Sequence, residues 1–173
     1  MKNWAKVAFI FNAFALMALT ACSREQSEKN VQIQPGSFVT TLPSVVEHRP
    51  AKSKKCSLDT INGKPREKDN WIVNRNSSLT FSGWAFSMDG KETTPEVFIE
   101  LAGPAQTYYA LTTTRLMRPD ANQYNQIDSS LAVGFELTAT SSAIEPGVYE
   151  ITVHQPLSKG TEFCDAGATL TVN

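Results

Sequence analysis

The feature that most constrains this chain is a two-residue hydrophobic alternation, broken by turn residues, running from about residue 56 to the end. Leu79, Phe81, Gly83 and Ala85 share one face of a stretch whose other face carries Thr80, Ser82, Trp84 and Phe86. The same alternation recurs in Val97, Ile99 and Leu101, in Val133, Phe135 and Leu137, in Tyr149, Ile151 and Val153, and in Leu170 and Val172. Side chains on a strand alternate between faces, whereas a helix repeats every 3.6 residues, so the pattern calls for half-buried strands. Strands are expected at 57–61, 71–73, 78–87, 96–102, 107–114, 131–140, 148–155 and 168–172. Met88-Asp89-Gly90, Gly103-Pro104, Pro146-Gly147 and Lys159-Gly160 punctuate them as turns. Seven or eight short strands so spaced predict one all-β antiparallel sandwich over 56–173, and about 118 residues can enclose one core.

The first residues follow a different rule. Lys2 and Lys6 precede an apolar run from Val7 to Leu19, broken by Asn12. That run falls short of the ~20 apolar residues a membrane helix needs, so 1–21 reads as a signal peptide. Leu19-Thr20-Ala21-Cys22 resembles the lipobox of bacterial lipoproteins. The resemblance implies that Cys22 becomes the first residue and carries acyl chains, several of which anchor stably where one does not. It also implies, from Ser23 in place of Asp, sorting to the outer membrane of a Gram-negative cell. Residues 22–55 are rich in Ser, Gln, Glu, Lys and Pro, with apolar patches only at Phe38-Val39 and Val45-Val46. Such a composition predicts a flexible tether, with Lys52, Lys54 and Lys55 as solvated linker residues.

Removing 1–21 takes Lys2 and Lys6 and no acid from 16 basic and 17 acidic residues, leaving 14 against 17 and a net charge of −3. Nothing in that balance suggests a nucleic-acid partner, which requires a basic face. In an exported, oxidising compartment the remaining pair, Cys56 and Cys164, is expected as a disulfide. Two cysteines and two distant histidines, His48 and His154, lack metal-ligand spacing.

Two further resemblances bear on the fold. Ile144-Glu145-Pro146-Gly147-Val148-Tyr149-Glu150-Ile151 resembles the corner of immunoglobulin-like and fibronectin-type sandwiches, which implies that Tyr149 bonds back to the backbone. The series Ser82-Gly83-Trp84-Ala85-Phe86, Val97 to Leu101, Arg118-Pro119-Asp120-Ala121, Val133-Gly134-Phe135-Glu136 and Pro146-Gly147-Val148-Tyr149 is similar to a β-sandwich module of bacterial envelope and surface-polysaccharide proteins. That resemblance implies an accessory, non-catalytic role. Ala121 departs from it, standing where the module usually has Val.

No nucleophile elbow, zinc-protease helix or phosphate-binding glycine loop occurs. No enzyme activity and no cofactor are therefore expected. The one concentration of chemistry is Arg115-Leu116-Met117-Arg118-Pro119-Asp120-Ala121-Asn122-Gln123-Tyr124. Pro119 and Asp120 suit the first turn of a short helix over 119–126. Two readings stand: an Arg–Asp pair that fixes a loop, or a site in which Arg115 and Arg118, with Asp120, Tyr124 and Trp84, offer a donor fork and an aromatic face to a sugar, carboxylate or phosphate. For Trp84 a core position is the favoured expectation, since a sandwich generally wants a central Trp. Of Tyr108-Tyr109, which point to opposite faces, one is expected to face solvent. The function expected is a non-catalytic outer-membrane lipoprotein, held by Cys22, whose sandwich binds or scaffolds another envelope protein; the alternative is a module recognising lipopolysaccharide, capsule or peptidoglycan.

Overall fold

Strand β5 (Ser78–Ala85) turns the alternation into a layer: Leu79, Phe81 and Ala85 are buried while Thr80, Ser82 and Trp84 are half-exposed. The computed structural model describes residues 34–46 and 50–173, so the expected signal peptide, Cys22 and His48 lie outside the described residues. Ten further strands are present among the described residues: β1 (Ala51–Lys52), β2 (Cys56–Ile61), β3 (Lys64–Pro65), β4 (Asn70–Val73), β6 (Val97–Ala102), β7 (Thr107–Thr112), β8 (Arg115–Leu116), β9 (Gly134–Thr140), β10 (Gly147–Leu157) and β11 (Gly160–Val172). One sheet has the order β1-β11-β10-β6-β7, with β4 also on β11, and the other β3-β2-β5-β9-β8. The two pack into an all-β sandwich around Leu79, Phe81, Val97, Ile99, Leu101, Phe135, Leu137, Ile151 and Leu170.

The arrangement is not purely antiparallel. β11 is 13 residues long, and its outer edge takes two short parallel strands, β1 opposite Glu162–Phe163 and β4 opposite Thr169–Val172. Only 168–172 of β11 alternates in sequence. Its first half is held by the hairpin closing at Leu157 and Gly160, where the glycine takes a φ of +132°.

Two close approaches fix the packing. A Cβ on Gly83 would lie 2.1 Å from the Ser57 carbonyl oxygen, so β2 can cross β5 only against glycine. At the far corner the Tyr149 hydroxyl donates to the Glu145 carbonyl at 2.6 Å, while the Glu145 N–H donates to the Tyr108 hydroxyl at 3.2 Å. Tyr149 is thus a structural tyrosine, its ring edge-on to Tyr108 at 5.8 Å. The disulfide of Cys56 and Cys164 joins β2 in one sheet to β11 in the other, with 6.2 Å between Cα atoms and a separation of 108 in sequence. Closing a loop of that length contributes about 4–5 kcal/mol in the chain-entropy account.

Residues 34–46 and 50–55 correct the expectation of a tether reaching to residue 55. Phe38 is 7 % exposed and sits in the core, edge-on to Phe81 at 6.3 Å. Val39 exchanges both backbone hydrogen bonds with Tyr109, at 2.9 and 2.7 Å. Val46 packs with Phe98, Tyr109 and Leu111 on the outer face of the first sheet, and β1 and the Ser53 N–H then bind β11. The segment is a strap reaching from the β7 edge to the β11 edge. Its composition is too poor to build a core, but it needs none, because the sheet already presents an apolar outer face. The same cover explains why Tyr108 and Tyr109 are both buried, where one was expected in solvent.

Phe38→Ala should therefore cost about 3–4 kcal/mol, as for other buried Phe truncations. Urea denaturation of this variant beside Leu42→Ala checks it, since Leu42 is exposed and its truncation should barely move the midpoint.

Candidate functional site

Helix α1 (Pro119–Asn125) begins with Pro119 in its first turn, has Asp120 beside it, and ends at Gln126 in the left-handed conformation. It closes one end of the sandwich. Ala121 packs with Phe86 and Val133, and half-buried Trp84, Ile127 and Leu131 surround them. The Asn122 carboxamide donates to the carbonyls of Asp128 and Leu131 at 2.7 and 3.0 Å, pinning the chain that leads into β9.

Arg115 lies between the sheets at this end. Its guanidinium donates to the carbonyls of Thr94, Ala85 and Val133 and, at 2.8 Å, to Gln155 Oε1. Ala85 and Val133 belong to the second sheet's end and Gln155 to β10 of the first, so one side chain ties both layers. Burial pushes its pKa down to about 10, which still leaves it charged at neutral pH.

Arg118 is spent differently. It grips Asp120 in a fork, Nε to Oδ1 at 2.9 Å and Nη2 to Oδ2 at 2.7 Å, while Nη1 donates to Asp59 Oδ2 at 2.9 Å. Those bonds raise its pKa, with Asp120 the larger cause and Asp59 the second. The hydrogen bond from Arg118 holds the Asp120 carboxyl at about 2.

Of the five residues grouped as a ligand site, the structure thus joins only Arg118 and Asp120, and joins them to each other. Trp84 stacks on Phe86 at 5.5 Å beneath α1, and Tyr124 stands 84 % exposed. Asp59 and Gln155 were not read from the sequence. Asp59 lies 59 residues from Arg118 and carries no local signal. Gln155 did carry one: it follows Tyr149, Ile151 and Val153 on the inward face of β10, where a polar side chain needs a buried partner.

The surface around this cluster is apolar. Leu116 and Met117 are exposed ahead of α1, Met88 is exposed in the turn after β5, and a Cβ on Gly90 of that turn would lie 3.0 Å from Ile127. Elsewhere, buried His154 sits 2.7 Å from Glu100 and stacks on Phe163, which makes it part of the packed outer face of the first sheet. Among the described residues no cluster of three or more His, Cys, Asp or Glu could hold a metal ion. No protein-family model matches the chain, and no characterised protein matches its sequence.

Arg115→Met should lower stability by about 3–5 kcal/mol, because it removes the donor from Gln155 Oε1 and from the carbonyls of Thr94 and Ala85, while the Val133 carbonyl keeps the Ala85 N–H. Arg118→Ala should cost nearer ~1 kcal/mol, its partners being partly solvated. Chemical denaturation of the two variants checks the ranking. Asp120 titrates lower in the fold than its usual 3.8, so its pairing stabilises above about pH 4 and is lost as pH falls toward 2. The difference in melting temperature between the protein and Arg118→Ala should therefore shrink over that interval.

Proposed function

We propose that this chain is a non-catalytic lipoprotein of the outer membrane, anchored through Cys22, whose β-sandwich binds or scaffolds another envelope protein. The lipobox-like Leu19-Thr20-Ala21-Cys22 supports the anchor. The observation that carries the binding role is the end of the sandwich at α1. Its arginine forks are already filled by protein acceptors, which argues against a glycan reader there, while Met88, Leu116, Met117 and Tyr124 remain exposed around them. Unbranched methionines beside a tyrosine form an adaptable contact surface of the kind used on protein partners.

The strap gives this reading a direction. Thr140 donates to the Gly36 carbonyl, so the strap begins at the end of the sandwich where Ser78 pairs with Thr140. The exposed apolar surface is at the opposite end, beside Trp84 and Gly134. Eleven residues, 23–33, separate Cys22 from the strap, a distance of about 40 Å at full extension. Such an anchor holds the sandwich near the bilayer with α1 directed away from it.

A photo-crosslinking residue in place of Met117, introduced in cells, should capture one discrete partner protein. The adduct should be lost in Tyr124→Asp while the melting temperature is kept, and Cys22→Ser should abolish acyl labelling. No adduct at Met117, or acyl labelling that survives Cys22→Ser, would sink the corresponding half of the reading.

A further inference from the structure

A second surface is open on the opposite flank. Between β4 and the β2–β3 hairpin lies a groove of about 700 Å³, within the size range of ligand sites. Ile61, Trp71 and Val73 form its apolar floor, Ile72 stands 69 % exposed on its wall, and Lys64 and Lys68 lie on its rim.

The wall is an unfinished sheet edge. The carbonyls of Asp69 and Val73 accept from Thr169 and Asn173, so the odd-numbered residues of this strand turn their backbone to β11. Even-numbered residues turn theirs outward. Asn70 meets Glu67 there, in a mutual pair of 3.0 Å hydrogen bonds, but among the described residues β4 pairs with no strand besides β11, which leaves the N–H and C=O of Ile72 directed into the groove.

The opposite seam of the same sandwich shows what fills such a place. There the strap sends Phe38 between the sheets and pairs Val39 with Tyr109 of edge strand β7. At β4, Ile72 holds the position of Tyr109, and among the described residues it has no counterpart to Val39. The floor asks for apolar side chains, since the Trp71 indole N–H is already given to the Lys64 carbonyl at 2.9 Å. Among the described residues Lys64 and Lys68 make no ion pair, and with Glu67 they leave the rim net positive.

We infer that this groove takes an extended segment of a partner protein, added as a strand beside Ile72, with apolar side chains on the floor and carboxylates at Lys64 and Lys68. The inference rests on the reading of the sandwich as a protein-binding module and gives it a second contact, distinct from the α1 end.

The test uses the purified full-length protein and an eight-residue peptide alternating valine with aspartate. The peptide should bind, slow hydrogen exchange of the Ile72 amide at least tenfold, and outcompete its lysine-for-aspartate counterpart. Ile72→Pro should abolish binding with the melting temperature kept, because that N–H takes no part in the pairing with β11 and edge strands tolerate proline. Lys64→Glu with Lys68→Glu should reverse the preference to the lysine peptide. Binding that survives Ile72→Pro, an Ile72 amide already protected in the peptide-free monomer, or a dimer sealed at this edge would each overturn the inference. Crosslinking at Met117 separates the two readings: an adduct retained in Ile72→Pro leaves the protein-binding role standing while the groove fails.

Discussion

A guanidinium with no carboxylate beside it closes one end of this sandwich, and much of the architecture follows from keeping it satisfied. Arg115 reaches Ala85 at the end of β5, Val133 ahead of β9, Thr94 in the loop before β6, and Gln155 in β10. Each acceptor is neutral, so the cation is stabilised by oriented dipoles and no mobile counter-ion is needed. That arrangement is demanding: the carbonyls must converge from both sheets, which sets where the strands stop and how far apart the layers stand. Once Arg115 is placed, β8 is committed to the edge of the second sheet, and the chain beyond it must turn outward into α1. Arg118 and Asp120 then fasten that turn to Asp59 on β2.

The other end relies on different means. Tyr149 and Tyr108 clasp the Glu145 backbone, and Arg75 links to the C-terminal residue and to Glu145. The disulfide ties β2 to β11 across the layers, and the strap seals the seam between β7 and β9 with Phe38. Among the described residues nothing closes the seam at β4. Lys64 and Pro65 on the short β3 segment discourage indiscriminate pairing there, as charged residues and prolines on edges of natural sheets generally do. An edge so guarded accepts a partner only when its charge matches the rim.

Much of this was legible in the amino-acid order because burial on a strand leaves a period. The five alternating runs marked β5, β6, β9, β10 and the end of β11, Pro119-Asp120 marked the helix start, and Pro146-Gly147-Val148-Tyr149 marked the corner. The parts that escaped are those without a period. β1, β3 and β8 are two residues each, too short to alternate, and the first half of β11 is held by its hairpin rather than by apolar spacing. The strap escaped for a related reason: composition measures whether a segment can build a core, not whether it can borrow one. The arginine cluster was found, but its meaning depended on Asp59 and on acceptors far away in sequence. Residue type named the donors and only the fold could name the acceptors.

That difference bears on how the two ends can act. At the α1 end both arginines are already matched within the protein, so a ligand that needed those donors would first have to break bonds to Asp59, Asp120 or the buried carbonyls. A partner that buries Met117 and Tyr124 breaks nothing. It gains apolar area over a base whose polar groups are already paired, and the ordering cost is confined to a few exposed side chains. Binding at the β4 groove has the opposite character, since it would complete backbone bonds the fold leaves open. On the reading proposed above, the sandwich would grip one partner through shape and apolar contact at its α1 end and through strand pairing on its flank, and Arg115, bonded to both sheets, would hold the two contacts at a set distance.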